Sequence, residues 1–514
     1  MLSSLHFNKQ TRIKVQVFKK EEIIMTQAVK KIHFLGICGT GMGALAEILQ
    51  EKGYGISGSD QNVYPPMSTQ LASLGITASQ GYDSQHIPQD AELVVVGNVI
   101  RKDNPELLAA QQRNLPLLSM ADTLYQECLS NKTSIVISGT HGKTTTTSLC
   151  AWLLECAQTD PGFFIGGVAN NFGKNARLGT GPYFVVEGDE YDSACFQKEA
   201  KFLHYHPKVL ILTSVEFDHA DIYKNLDHVL SAFEKLISQL PADGLLIANG
   251  DNENVVKLAE KAPCKVVYYS LQSKTAEYRV ENIENTEEAS KFELHTPRGT
   301  LKLTLPLHGQ HNIGNASAAV ALLLELGIEP SRFAKQLAEF KGVRRRHEIV
   351  GTYKDIIFID DFAHHPTEVK ATIAAVRDRY PGRRLWAVFE PRSNTSRRNT
   401  FQQDYIKAFM GADRVLLAKV YNEESIPEEE KLDVQKIADI LIRRGPDAHY
   451  IPDAQYLKEF VLRGISSGDV VLFMSNGDFG GIQREIFDAL GKRRIITDPS
   501  NIKMGRVPKA KAST

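Results

Sequence analysis

The sequence predicts an α/β fold of three domains, on three observations. Short apolar runs recur along most of the chain and alternate with longer polar stretches of helical character. Two of these runs lead straight into glycine-rich turns, Gly36–Gly43 and Gly139–Gly142. With 514 residues and 42% hydrophobic content, the chain can fill several cores at roughly 100 to 200 residues each.

Taken in order, residues 1–29 are an extension with scattered charges and no apolar core of the kind a secretory signal carries, and Met25 is a candidate start. Residues 30–131 open with the strand Lys31–Gly36, a glycine turn, a helix over Met42–Lys52 and a second strand ending on Gly58-Ser59-Asp60. Further apolar runs at Leu93–Gly97 and Leu115–Leu118 complete a Rossmann-like N-terminal domain. Residues 132–342 restart with the strand Ser134–Ser138 and continue with Tyr183–Glu187 and Val209–Thr213, which predicts a central P-loop domain with a mainly parallel sheet. Within it, residues 271–306 are richer in charge and threonine, and the alternating Leu301–Leu305 predicts a small antiparallel excursion. Residues 343–497 repeat the pattern at Ile356–Ile359, Leu385–Phe389, Val415–Leu417 and Val470–Met474, a C-terminal Rossmann-like domain. The basic tail 498–514 is expected to be disordered.

Lys and Arg number 60 against 61 Asp and Glu, so no global basic field exists to draw nucleic acid or an anionic membrane. No run of about 18 apolar residues offers a membrane span, so no membrane insertion is expected. Six scattered cysteines without a CxxC pair suit reduced thiols, and the expected location is cytoplasmic.

Gly39-Thr40-Gly41-Met42-Gly43-Ala44 fits G-x-G-x-x-[GA], with Asp60 about 20 residues on, where a ribose hydroxyl is held in dinucleotide folds. What the pattern demands physically is a diphosphate at a helix N-terminus. NAD in a dehydrogenase and a UDP-sugar both meet that demand.

The second turn, Gly139-Thr140-His141-Gly142-Lys143-Thr144-Thr145, lacks the first glycine of the usual phosphate loop because Ile137 stands there. It keeps the needed parts: a strand before it, glycines where the backbone must bend or approach a phosphate, and a Lys-Thr pair opening a helix. Lys143 can neutralise β- and γ-phosphates of ATP, and the Thr144 hydroxyl suits an octahedral Mg2+ shell. Two acidic clusters follow at strand ends, Glu187-Gly-Asp-Glu190-Tyr-Asp192 and Glu216-Phe-Asp218-His219-Ala-Asp221. Ligands of open parallel sheets gather at such ends, so both clusters can face a triphosphate. The isolated His204 and His206 receive no role.

The order of these motifs, followed by His311-Asn312-Ile-Gly-Asn315, Arg345-Arg346 and Asp360-Asp361-Phe-Ala-His364-His365-Pro366, resembles the Mur ligases. These are ATP-dependent amide-bond formers of peptidoglycan synthesis. Asn62–Ser68, Glu216–Ile222, Glu390–Thr395 and Ser475–Ile482 are most similar to the branch that attaches a murein tripeptide to UDP-N-acetylmuramate. The branch that attaches L-alanine ranks second, because its Arg-containing loop differs from Glu390–Thr395.

The resemblance implies that Gly39, Thr40, Gly41, Met42, Ser59, Asp60 and Asn98 hold the UDP-sugar. It implies that Gly139 to Thr145, Asn312, Asn315, Arg345, Arg346 and Asp361 hold ATP, with Arg346 the preferred phosphate contact. Thr144, Glu187 and His219 are implied Mg2+ ligands, and Lys143, Glu187, His219, Arg346 and Asp361 the catalytic set. Arg392, Asn394 and Thr395 are expected to meet the peptide, since an arginine can grip a carboxylate bidentately. Some relatives carry a carbamylated lysine; Lys235 is nearby in sequence and is given no role.

Overall fold

The computed structural model describes residues 31–492 except 66 and 221. The extension with Met25, the tail and Asp221 therefore lie outside the described residues.

Among the described residues there are four sheets: a two-stranded antiparallel ribbon of Asp192–Ala194 and Gln197–Ala200 in the central region, and one large sheet in each predicted region. In the first, the strands run Ala78–Gln80, Gly55–Asp60, Lys31–Leu35, Leu93–Val96, Leu117–Ser119 across the sheet, all parallel. Leu93–Val96 is apolar at every position and buried on both faces, as the interior of a parallel sheet requires. The order reverses between the first strand and its two neighbours, which opens a crevice beyond the strand ends. The Thr40–Glu51 helix starts there, capped by Gly39 in extended conformation.

The central sheet has ten strands, with Thr133–Ser138 lying parallel between Tyr183–Gly188 and Val209–Leu212. The expected antiparallel excursion is the edge of this same sheet: Tyr278–Asn285 pairs parallel to Lys265–Ser270, then antiparallel to Ser290–Thr296, which pairs with Gly299–Leu305. The helices Lys143–Cys156 and Gln310–Glu325 share a core with Ile135, Ile137 and Ile247, so both are pinned to one face of the sheet. The Gln310–Glu325 helix is buried along nearly its whole length, which its Ala- and Leu-rich sequence permits.

The third large sheet orders its six strands Glu348–Tyr353, Ile356–Asp361, Val470–Met474, Leu385–Phe389, Arg414–Leu417, Asp447–Tyr450. Only Glu348–Tyr353 is antiparallel, a hairpin edge with no fully buried residue. Among the described residues no helix is long and apolar enough to cross a membrane.

Candidate active site

The Thr133–Ser138 strand feeds a turn whose glycines are required by space as well as angle. Gly142 has φ +83, and a Cβ there would stand 2.6 Å from Asn315 Oδ1. Gly139 has φ +137 and is pressed against Thr213 and Ser214, leaving no room for a side chain. The end of the neighbouring strand braces the turn: Thr140 N–H donates to Ser214 O at 2.8 Å and His141 N–H to Ser214 Oγ at 2.9 Å.

Lys143 and Thr144 open the following helix and face two carboxylates. Lys143 Nζ donates to Glu190 Oε2 at 3.0 Å and to Gly139 O at 2.6 Å. Thr144 Oγ1 donates to Glu187 Oε1 at 2.8 Å, and Gly166 N–H holds the other oxygen of Glu187 at 2.7 Å. His219 Nε2 lies 3.0 Å from Glu190 Oε1, so Glu190 bridges the lysine and the histidine. His219 itself sits at φ +55, a left-handed conformation costly for a side-chain-bearing residue.

The charges of this cluster are set by burial against partnership. Burial alone would raise Glu190, yet the Lys143 ammonium and the His219 hydrogen bond bring it down to about 2. Burial opposes charge on Lys143 as well, and Glu190, Asp189 and Glu187 together keep it well above the ordinary lysine range. Glu187 is raised, by burial first and by the charge of Asp189 second. His219 rises despite burial because Glu190 and Asp218 surround it.

Beyond the turn lies a cavity of about 290 Å³ between the central and C-terminal domains. The central domain contributes His141, Gly142, Thr144, Thr145, Asn312 and Asn315, along with Asn249, Asp251, Tyr269 and Gln272, which the sequence did not single out. The C-terminal domain contributes Arg346, Asp361 and Glu368. Asp361 is fixed by the backbone N–H groups of His347 and Ala363, both at 2.8 Å. The domains also touch at the cluster itself, where His219 N–H donates to Thr395 Oγ1 at 3.0 Å. Thr367 Oγ1 donates to Glu216 Oε2 at 2.7 Å beside it.

The chain matches the Mur ligase family catalytic domain over residues 31–130, the Mur ligase middle domain over 137–323, and the Mur ligase glutamate ligase domain over 345–477. The chain belongs to the Mur ligase family. A UDP-N-acetylmuramate--L-alanyl-gamma-D-glutamyl-meso-2,6-diaminoheptandioate ligase of Haemophilus influenzae is 38% identical over 90% of this chain and 99% of its own. A UDP-N-acetylmuramate--L-alanine ligase of Alkaliphilus metalliredigens is 34% identical over 88% of this chain and 95% of its own. Among solved structures, a murein peptide ligase of Psychrobacter arcticus is 31% identical with a TM-score of 0.68 over 91% of this chain and 100% of its own. The UDP-N-acetylmuramate-alanine ligase of Thermotoga maritima is 28% identical with a TM-score of 0.74 over 90% and 99%.

In this Mur ligase the structure gathers Lys143, Thr144, Glu187 and His219 into one cluster, with Asn312, Asn315, Arg346 and Asp361 on the adjoining cavity. It does not bring in Arg345, whose guanidinium reaches Asp360 at 3.1 Å, Ser475 O at 2.6 Å and Gly477 O inside the C-terminal domain. At the N-terminal turn, Gly39 and Thr40 are exposed and Asn98 stands exposed after the Leu93–Val96 strand. The Met42 side chain, by contrast, packs in the core, and the Ser59 hydroxyl is turned inward to Glu106. Asp60 braces the turn, accepting from Cys38 N–H at 3.0 Å. In the third domain, Arg392 stacks 4.1 Å over the Tyr421 ring and meets Asp478 at 3.1 Å, and Asn394 is exposed. Thr395 is buried and committed to the His219 contact. Lys235 is exposed on the last turn of the Leu226–Ser238 helix.

Glu190 lies in the acidic run expected to face the triphosphate, but its pairing with Lys143 is not marked in the sequence. Four acids lie within Glu187–Asp192, and only the fold shows which of them meets Lys143. The sequence shows only an acid three residues after Glu187 at the same strand end.

Proposed function

We propose that this chain is an ATP-dependent ligase that joins the lactyl carboxylate of UDP-N-acetylmuramate to the amine of L-alanyl-γ-D-glutamyl-meso-diaminopimelate, forming ADP and phosphate, in the cytoplasmic recycling of peptidoglycan. The observation that carries this reading is the 3.0 Å contact from His219 N–H to Thr395. It joins the phosphate-side cluster to the Arg392 loop, so an activated acyl group and an incoming peptide amine can meet at one point. Two relatives at 38% identity are ligases named for that tripeptide. The higher TM-score of an alanine ligase reflects a backbone common to the family, and carries less about the substrate than side chains do.

A carboxylate is a poor electrophile, and ATP overcomes this. One lactyl oxygen attacks the γ-phosphorus, the bond to the β-phosphate oxygen breaks, and ADP leaves from an acyl phosphate. The neutral amine then adds to the acyl carbon, and the tetrahedral intermediate collapses with loss of phosphate and a proton from nitrogen. Both steps bring anions together, so cations and positioning carry the catalysis. Lys143 is held charged against three carboxylates and supplies a fixed cation beside the loop. Arg346 and Asp361 from the C-terminal domain line the cavity beside the loop, where they can orient the nucleotide.

The donor set fits Mg2+: a threonine hydroxyl and a buried carboxylate hydrogen-bonded to each other offer two hard oxygens, with His219 one residue-shell away through Glu190. Thr144 would hold one Mg2+, and Glu187 with His219 a second; bound there, the ions would neutralise phosphate charge. The glycine turn at Gly39–Gly43 and the exposed Asn98 are assigned to the UDP-sugar. The boundaries 30–131, 132–342 and 343–497 are proposed as the UDP-sugar, ATP and peptide domains. Arg392 and Asn394 are proposed to receive the peptide.

Phosphate release from ATP, measured with UDP-N-acetylmuramate and peptide, tests the reading. A nicotinamide absorbance change with added NAD and no peptide-dependent phosphate would replace it by a dehydrogenase.

A further inference from the structure

A second group of potential ligands includes a residue of the phosphate loop itself, His141, and two residues other than Thr144 and Glu187. His141, Glu216 and His365 each bring one ligand-capable atom to within 4.8 Å of the others. His141 and Glu216 belong to the central domain, and His365 caps the Pro366–Arg379 helix of the C-terminal domain. His141 Nε2 is 3.5 Å from Glu216 Oε2, His365 Nδ1 is 3.9 Å from that same oxygen, and the two rings are 4.8 Å apart. On its far side His141 Nδ1 faces Glu368 Oε1 at 3.2 Å.

These contacts leave one ring nitrogen of the group without a partner. His141 lies between the Glu216 and Glu368 carboxylates, one on each ring nitrogen. His365 is 3% exposed, and its Nε2 is buried with no hydrogen-bond partner at all. Orphaned buried polar atoms are uncommon and call for an explanation such as an absent ion.

We propose that His141, Glu216 and His365 form a site for a borderline divalent cation of the Zn2+ class, which pins the C-terminal domain to the central domain. Four ligands around Zn2+ at about 2.0 to 2.1 Å stand about 3.3 to 3.5 Å from one another. The Glu216 contacts at 3.5 and 3.9 Å are close to that edge, and the widest separation, within 4.8 Å, must contract on binding. Two imidazoles and one carboxylate select Zn2+, Co2+ or Ni2+ over Mg2+, which prefers oxygen. Glu368 behind His141 provides the carboxylate that orients a ligating imidazole. The fourth position opens on the cavity that His141, Glu216 and Glu368 line.

Without metal, the same residues form a proton-held clasp. Against burial, Glu216 and Glu368 push His141 up to about 10, so its ring carries a charge that an ion must displace. His365 is brought down to about 4 by burial first and by the charge of His141 second; its Nδ1 accepts from Thr367 N–H at 3.3 Å, which leaves Nε2 as the nitrogen available to an ion. The site does not depend on the ligase reading.

The test is calorimetric titration of the full-length chain with Zn2+ in the absence of nucleotide, in buffers of different ionisation enthalpy. The expected result is one ion per chain with release of a proton, an affinity at least tenfold weaker in His365→Gln and Glu216→Gln, and binding retained in His219→Gln. No stoichiometric binding, or an affinity untouched by both first variants, overturns the site. Co2+ added to the wild-type chain gives a readout that needs no variant. Two sets of paramagnetically shifted imidazole resonances per bound ion are expected, and one set or none contradicts the proposal.

Discussion

Gly39 and Gly142 both cap a helix that follows a parallel strand, yet the two turns are built differently. Gly39 is extended, with φ −65, and a Cβ on it would meet Gly36 O at a tolerable 3.4 Å. Gly142 is left-handed and has no such room. The first turn, Gly36–Gly43, contains no cationic side chain and is held by the Asp60 carboxylate. The second is flanked by Lys143, Glu187, Glu190 and His219, all buried or nearly so and mutually paired. A turn that only binds can rely on backbone N–H groups; a turn where charge is transferred needs fixed cations and fixed counter-charges. The strand Gly162–Ala169 links the two, since Phe164 approaches Gly41 and Gly166 N–H holds Glu187.

Breaking the second turn should have the largest effect. Lys143→Ala is expected to lower peptide-dependent phosphate release by about 10²-fold or more, in line with the loss of one preorganised charge donor. A rate near that of the wild type would remove the phosphate-loop assignment. Next, Arg392→Ala should cost the peptide about tenfold to a hundredfold in kcat/KM, the worth of a charge-assisted hydrogen bond, with the KM for ATP unchanged. Parallel losses for ATP would place the effect on domain closure instead.

The charge pairing of the second turn can be probed without turnover. Glu190 is depressed to about 2, below its ordinary 4.5, so the stability it contributes is full above pH 4.5 and is lost as pH falls through about 2. In Glu190→Gln, denaturant titrations across that window should show a flatter loss of stability than the wild type; identical slopes would mean that Glu190 is not paired as described. The smallest effect belongs to the first turn. A Cβ at Gly41 would meet the flexible Met120 Sδ at 3.0 Å, so Gly41→Ala should raise the KM for UDP-N-acetylmuramate by about fivefold or less, under about 1 kcal/mol. Its kcat should not move, and a kcat collapse would give this turn a role in chemistry.

The elements that sequence made legible are those with a strong local cause. Gly139 and Gly142 stand where only glycine fits, and the unbroken apolar run of Leu93–Val96 has a single comfortable home inside a parallel sheet. Glu348–Tyr353 was not legible, because an edge strand with no fully buried residue carries no periodic apolar signal. The same limit applies to side-chain direction. Arg344, Arg345 and Arg346 are equivalent in sequence, yet only Arg346 lines the cavity while Arg345 is spent on Asp360 and Ser475. Met42 and Thr395 likewise sit in motifs, and their burial assigns them to packing and to the domain contact.

The central claim is that an ATP-activated carboxylate and a tripeptide amine meet where His219 touches the Arg392 loop. The most direct measurement supplies UDP-N-acetylmuramate and ATP with L-alanine, L-alanyl-γ-D-glutamate or L-alanyl-γ-D-glutamyl-meso-diaminopimelate in turn, following phosphate release. The account predicts the fastest release with the tripeptide and little with L-alanine; equal or faster release with L-alanine would contradict it.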